Sequence, residues 1–152
     1  HEKKVKELLE KRGFEVFLPM HKVLRQWSDR KKKVEVPLFN SYVFVKTEEH
    51  RITEVLQIPG ISWSIRHNGK PAVLHEREYD LINRFLETGL TLEIFATPDL
   101  ETGDKVKIVD GPLRGMYGML VSAADGSRFV VALESIGQSM RVLLEPHLMQ
   151  KV

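Results

Sequence analysis

Gly103-Asp104-Lys105-Val106-Lys107-Ile108-Val109-Asp110-Gly111-Pro112-Leu113-Arg114-Gly115, followed by Gly118-Met119-Leu120, decides how the last third of this 152-residue chain folds. Lys105 to Val109 alternates basic and apolar residues and reads as a strand. Asp110-Gly111-Pro112 turns the chain, and a second strand follows from Gly118 to Ser122. The glycine-rich loop therefore joins strand to strand. A phosphate cradle needs backbone amides leading into a helix N-terminus, and this loop has neither a helix nor a GK[ST] ending. Further strands fall at Phe129–Leu133 and Arg141–Leu144, punctuated by Asp125-Gly126 and Ile136-Gly137. About 50 residues of short strands without a helix read as a small barrel.

Upstream the pattern changes. Val5, Leu8, Leu9 and Arg12 lie at helical spacing ahead of Gly13, so residues 2–12 read as an amphipathic helix. Phe14, Val16 and Leu18 alternate up to Pro19, and Val34 to Val36 ends at Pro37; both read as strands. Tyr42-Val43-Phe44-Val45 is the densest β-branched and aromatic run and the candidate central strand. Thr47 stands where it can cap a helix from Glu48 to Gln57, with Ile52, Val55 and Leu56 as its buried stripe. Pro59-Gly60 stops that helix. Ser62–Arg66 and Ala72–Leu74 flank Asn68-Gly69, a strong hairpin signal. Residues 75–87 read as a helix burying Tyr79, Ile82, Phe85 and Leu86, with Gly89 at its end. From Gly89 to Gly103 no clean periodicity remains. The expected organisation is an α+β domain over residues 1–90, a linker over 91–101 and an all-β barrel over 102–152.

Composition narrows the function. The formal charge is only +2, but residues 1–33 hold eleven Lys and Arg against five Asp and Glu. Residues 34–97 sum to −3 and residues 98–152 to −1. A basic first third on an otherwise acidic chain is a footprint for a polyanion such as nucleic acid; a solvated face is the alternative. Arg30-Lys31-Lys32-Lys33 follows Trp27-Ser28-Asp29, which looks like a hairpin tip. Trp27 reads as the anchor of that hairpin, with stacking on a base or a partner as the other possibility.

The chain has no cysteine, which excludes disulfides, thiolate metal sites and cysteine nucleophiles and suits a reducing cytoplasm. Six histidines occur without HExxH or a comparable metal pair, and no serine sits in a GxSxG elbow. Glu76 and Glu78 fall at a helix start, where carboxylates favour the dipole. No stretch approaches the ~18 apolar residues that cross a bilayer, and the charged first dozen residues are unlike a secretory signal. A binding protein without cofactor or metal is expected, and not an enzyme.

The glycine loop from Gly103 to Gly115, with Gly118-Met119-Leu120, resembles a KOW motif. Pro37-Leu38-Phe39-Asn40-Ser41-Tyr42-Val43-Phe44-Val45 resembles the central strand of the NusG N-terminal (NGN) domain. Pro59-Gly60-Ile61 and Gly69-Lys70-Pro71-Ala72-Val73-Leu74 are similar to that family's following segments, in the same order. The resemblance implies an NGN-like α+β domain, with an antiparallel sheet flanked by helices, followed by an SH3-like all-β KOW barrel. It implies a cytoplasmic, monomeric transcription elongation factor that promotes processivity or antitermination. In this family the N-terminal domain docks by a hydrophobic depression onto the clamp helices of RNA polymerase. Carried over by motif, Tyr42 and Phe44 line that depression, though as period-two aromatics both can equally be core. Thr53 and Glu54 match positions that touch the polymerase lobe. Lys4, Arg30, Lys31, Lys32 and Lys33 match the side facing upstream DNA or the displaced non-template strand.

The stretch Arg25 to Glu35 is similar to specialised paralogues, more specifically to antiterminators of surface-polysaccharide operons in Bacteroides-type bacteria. Three departures from the family stand out. Its first strand precedes His1, Asn40-Ser41 stands where Pro-Gly is frequent, and Ser135-Ile136-Gly137-Gln138 replaces a bulkier pattern ending in Gly-Arg. In relatives that last segment contacts a small-subunit ribosomal protein or the termination factor Rho, and Ile136 is the candidate contact here. The alternating strands favour a stable barrel over the helical refolding of one specialised relative. The alternative reading is a ribosome-associated or general RNA-binding KOW protein, which would be expected to carry far more positive charge in both domains.

Overall fold

In the computed structural model, which describes residues 1–99 and 103–152, the chain divides into two compact units between Leu74 and His75.

In the first unit, helix α1 (Glu2–Lys11) ends in Arg12 and a left-handed Gly13, as its sequence predicts. Its apolar stripe, Val5 and Leu9, is buried with Phe14, Val55 and Ile58, and Val16, Val43 and Val45 pack against that cluster. Strand β1 (Glu15–Phe17) is followed by β2 (Met20–Gln26) and β3 (Lys31–Pro37), a long antiparallel pair. Strand β4 (Phe44–Lys46) pairs with β1, Phe17 opposite Phe44. The run from Tyr42 to Val45 is therefore not a central strand. Only its second half is extended, and β1 is its sole ladder partner among the described residues.

The next helix also departs from expectation. A 3-10 turn (Glu49–Arg51) leads into a short α2 (Ile52–Leu56). Thr47 makes no cap; its hydroxyl donates to the Glu48 carbonyl instead. Val55 and Ile58 carry the burial, whereas Leu56 is exposed, because so short a helix buries one narrow edge rather than a full stripe. Asn68 and Gly69 both take positive φ, joining β5 (Arg66–His67) to β6 (Lys70–Pro71) in the expected tight hairpin.

In the second unit, helix α3 (Glu76–Glu87) is followed by β7 (Leu92–Ala96), β8 (Asp104–Ile108), β9 (Tyr117–Ala123), β10 (Gly126–Leu133), β11 (Gln138–Leu143) and β12 (Met149–Lys151). These six strands form one antiparallel sheet in the order β12-β8-β9-β10-β11-β7. The stretch expected as a linker thus holds a strand: Leu92 is buried, and Glu93 lies opposite Arg141 with its carboxylate 2.8 Å from that guanidinium. Leu100 and Glu101 of that stretch, and Thr102 at the expected start of the barrel, lie outside the described residues. Ile82 and Phe85 of α3 are fully buried, and the Phe85 ring stacks on Phe129 of β10 with centroids 6.0 Å apart. This burial places α3 in the unit of the sheet.

In the loop after β8, Gly111 and Gly115 take positive φ, whereas Gly118, within β9, is required by a close approach of strands. A Cβ there would lie 2.5 Å from the Val130 carbonyl oxygen and 2.6 Å from the Phe129 ring. The two strands approach too closely for any side chain. The architecture is an N-terminal α/β region with small antiparallel sheets, followed by a six-stranded all-β region.

Candidate functional site

The alternation of β1 and β4 divides their residues between two faces. Val16 and Val45 point into the core shared with α1 and α2. Phe17 and Phe44 point the other way, with ring centroids 5.9 Å apart. The chain between β3 and β4 brings in Phe39 and Tyr42. Phe39 is buried and meets Phe44 edge-on at 5.8 Å, and Tyr42 lies 6.1 Å from Phe39 and 6.5 Å from Phe44. These separations are those of favourable aromatic pairs. Tyr42 and Phe44 do share a face, although Tyr42 precedes the strand. Both remain half-buried, so each ring belongs partly to the fold and partly to the surface. Phe17 and Phe39 complete the cluster, and Phe17 was hidden by parity. The alternation of Phe14, Val16 and Leu18 marks the core face, which leaves Phe17 on the other.

Thr53 and Glu54 sit on α2, with Thr53 exposed. Glu54 pairs with Arg51 at 3.1 Å, and the hydrogen bond from that guanidinium holds its carboxyl below the usual carboxylate range. Arg51 in turn lies over the Phe14 ring at 4.3 Å. The acid is therefore tied to the α2 surface rather than presented as a free charge.

Lys4 is exposed on α1. Arg30 closes the turn between β2 and β3, where the Trp27 N–H donates to its carbonyl at 2.7 Å. Lys31, Lys32 and Lys33 lie along β3 rather than at the tip, opposite Gln26, Arg25 and Leu24. All four basic residues of that run are exposed. Trp27 is 45% exposed, with the Lys32 ammonium 4.9 Å from its ring centroid. A buried anchor it is not.

Comparison with known proteins shows the family of the chain. The family model described as NusG, transcription termination factor nusG, matches residues 1–83. That is more than half of the chain. The chain belongs to the NusG family. The solved structure of Thermotoga maritima NusG, a study of its domain interaction, matches with a TM-score of 0.56 at 22% identity. The match covers 99% of this chain and 90% of that one and carries the shared fold. No curated protein matches. Membership makes this NusG-family protein a transcription elongation or antitermination factor, from a family that interacts with RNA polymerase and is not catalytic. Among the described residues no helix is long and apolar enough to cross a membrane.

Two departures from the NusG pattern acquire physical content. Ser41, standing where Pro-Gly is frequent, takes φ +67°, the left-handed conformation that glycine adopts without strain. Its N–H donates to the Glu2 carboxylate at 3.0 Å, and that bond lowers the Glu2 pKa. An anchor on α1 thus holds the turn that precedes Tyr42. Ile136, the candidate partner contact of the C-terminal unit, ends a 3-10 turn and is only 7% exposed. As folded, it offers little surface.

Beside it lies a residue that sequence reasoning assigned to the helix dipole. Glu78 is buried on α3 and accepts hydrogen bonds from the His75 N–H, the Ser135 N–H and the Ser135 hydroxyl. Burial alone would raise its pKa, but these bonds outweigh it and hold the carboxyl below its usual range. It replaces Tyr79, 43% exposed, on the buried face of the helix. The signal for it was weak: a carboxylate at the N3 position of a helix usually serves the cap alone.

Proposed function

We propose that the aromatic cluster of Phe17, Phe39, Tyr42 and Phe44 is the RNA polymerase-docking site of this NusG-family factor. On this reading the cluster receives the clamp helices and promotes processivity or antitermination. The observation that carries this reading is the incomplete burial of Tyr42 and Phe44 in a ring cluster held together by buried Phe39. Half-buried aromatics held in place by their neighbours lose little side-chain freedom on binding, which makes them good anchors. Thr53 and Glu54 are proposed as contacts to the polymerase lobe. Lys4, Arg30, Lys31, Lys32 and Lys33 are proposed to face upstream or non-template DNA through phosphate contacts, which add affinity with little sequence reading. The basic arm, similar to those of specialised paralogues, supports action on particular operons such as those for surface polysaccharides. Contact of a ribosomal protein or Rho at Ile136 would first have to expose that side chain. The protein is proposed to act in the cytoplasm as a monomer, in two domains.

Tyr42→Ala combined with Phe44→Ala is expected to abolish pull-down of RNA polymerase while the chain still unfolds cooperatively. Unchanged polymerase capture by a folded double variant would place the docking site elsewhere.

A further inference from the structure

The β2–β3 pair is an arm. Its strands have seven residues each, so it extends about 23 Å at ~3.3 Å per residue. Neither strand shares a ladder with another strand among the described residues, and from Leu24 to Lys33 every residue is exposed. An isolated two-stranded hairpin is marginally stable in water. This one nevertheless carries Lys22, Arg25, Arg30, Lys31, Lys32 and Lys33 against only Asp29 and Glu35. None of those six cations makes an ion pair among the described residues. Mutual repulsion on a marginal element is relieved by a polyanion.

The register separates the cations by face. Arg25 is opposite Lys32, and Trp27, two residues on from Arg25, shares their side of the ribbon. Arg30 lies opposite Trp27 across the turn. One face therefore carries an exposed indole framed by three cations. The other carries Leu24 opposite Lys33 and Gln26 opposite Lys31, with no aromatic ring. In a duplex each base is stacked on its neighbours and shows only its edges in the grooves, so an indole face has no base to meet. An unpaired base offers its whole π-face.

We propose that the Trp27 face of this arm is a platform for single-stranded nucleic acid. Trp27 stacks on an unpaired base, while Arg25, Arg30 and Lys32 neutralise the flanking phosphates. This deepens the reading of the protein as a transcription factor, since a transcribing polymerase exposes two single strands, the displaced DNA strand and the nascent RNA.

The test uses the full chain with fluorescein-labelled oligo-dT and oligo-rU of about 15 nucleotides, within the range that single-strand binders cover, and a duplex of equal length. Anisotropy should show tighter binding of one or both single strands than of the duplex. Tighter dT assigns the displaced DNA strand, and tighter rU the transcript. Trp27→Ala should weaken single-strand binding roughly fivefold or more, and Trp27→Phe should retain most of it. Arg25→Gln with Lys32→Gln should reduce the log–log salt slope by about 1.4, that is ~0.7 for each lost phosphate contact. A readout independent of any arm substitution uses Trp63→Phe, which leaves Trp27 as the sole indole. Its fluorescence should be quenched by single strands and not by duplex. Equal quenching by both, or by neither, overturns the proposal. Polymerase is absent from these assays, and its capture by Trp27→Ala should be unchanged, so failure here is distinguishable from failure of the Tyr42 and Phe44 docking site.

Discussion

Residues 1–74 and 75–152 solve the same problem of burying strands in different ways. The second unit runs six strands into one continuous sheet, and Phe85, Phe129, Ile108, Leu133, Met140 and Val142 are all 0–1% exposed. The first unit divides its strands among three two-stranded ladders, β1 with β4, β2 with β3 and β5 with β6. Its core is a small cluster around Val5, Leu9 and Phe14, and its aromatics Tyr42 and Phe44 are left half-buried. The second unit closes its core within its own strands and helix. A unit that leaves rings half-buried and a cationic arm exposed offers the kind of surface on which the proposed polymerase docking rests.

The largest expected effect separates the two units by a ring deletion. Phe129→Ala removes a fully buried ring stacked on Phe85 and should cost about 3–5 kcal/mol. Phe44→Ala removes a half-buried ring and should cost about 1–2 kcal/mol, scaling with the smaller area withdrawn from water. Urea unfolding followed by circular dichroism measures both. Equal losses would mean that the aromatic cluster of the first unit is as closed as the sheet core.

The carboxylates sharpen the contrast at an intermediate scale. Glu78→Gln weakens charge-assisted bonds to a buried acceptor and should cost about 1.5–3 kcal/mol. The folded Glu78 has a pKa below its ordinary value of 4.5, so its stabilisation is full above that value and is lost as pH falls through the lower, folded one. The gap between wild type and Glu78→Gln should therefore narrow on acidification. A gap that widened would reverse the sign of the linkage. Glu54→Gln, at an exposed pair with Arg51, should leave the unfolding midpoint where it is.

The smallest effect concerns the turn before Tyr42. Ser41→Gly relieves a left-handed serine and should stabilise the chain by about 1 kcal/mol or less, because glycine also loosens the unfolded chain. A destabilised variant, measured in the same titration, would show that the Ser41 side chain contributes more than its backbone strain costs.

How legible each element was depended on whether its signal was local. Helix α1, with two buried leucine and valine positions and Gly13 behind it, was readable because periodicity and a C-terminal glycine agree. So was the Asn68-Gly69 turn, which needs only two residues of positive φ. Strand β2 was not, since its outer half, from Leu24, is exposed on both faces and has no reason to alternate. Strand β7 was missed for the opposite reason. It lies at the edge of the sheet, where only the pairing with β11 reveals that Leu92 is buried and that Glu93 meets Arg141. The candidate site was half legible: motif resemblance pointed to Tyr42 and Phe44, whereas Phe17 and Phe39 became members only through their ring contacts.

By itself the sequence determined what depends on neighbours along the chain. That includes helices α1 and α3, the tight turns, the succession of an α+β region and an all-β one, the absence of cysteine chemistry and the concentration of positive charge in the first third. Only the tertiary structure decided what depends on distant partners. Glu78 is buried because Ser135, 57 residues away, supplies its hydrogen bonds. Trp27 is exposed because, among the described residues, no other strand joins the β2–β3 ladder to cover it. The formal charge of +2 becomes a directed feature because cross-strand register sets Arg25 beside Lys32 on the face that carries the indole. Burial and register are properties of pairs, and neither member of a pair encodes them alone.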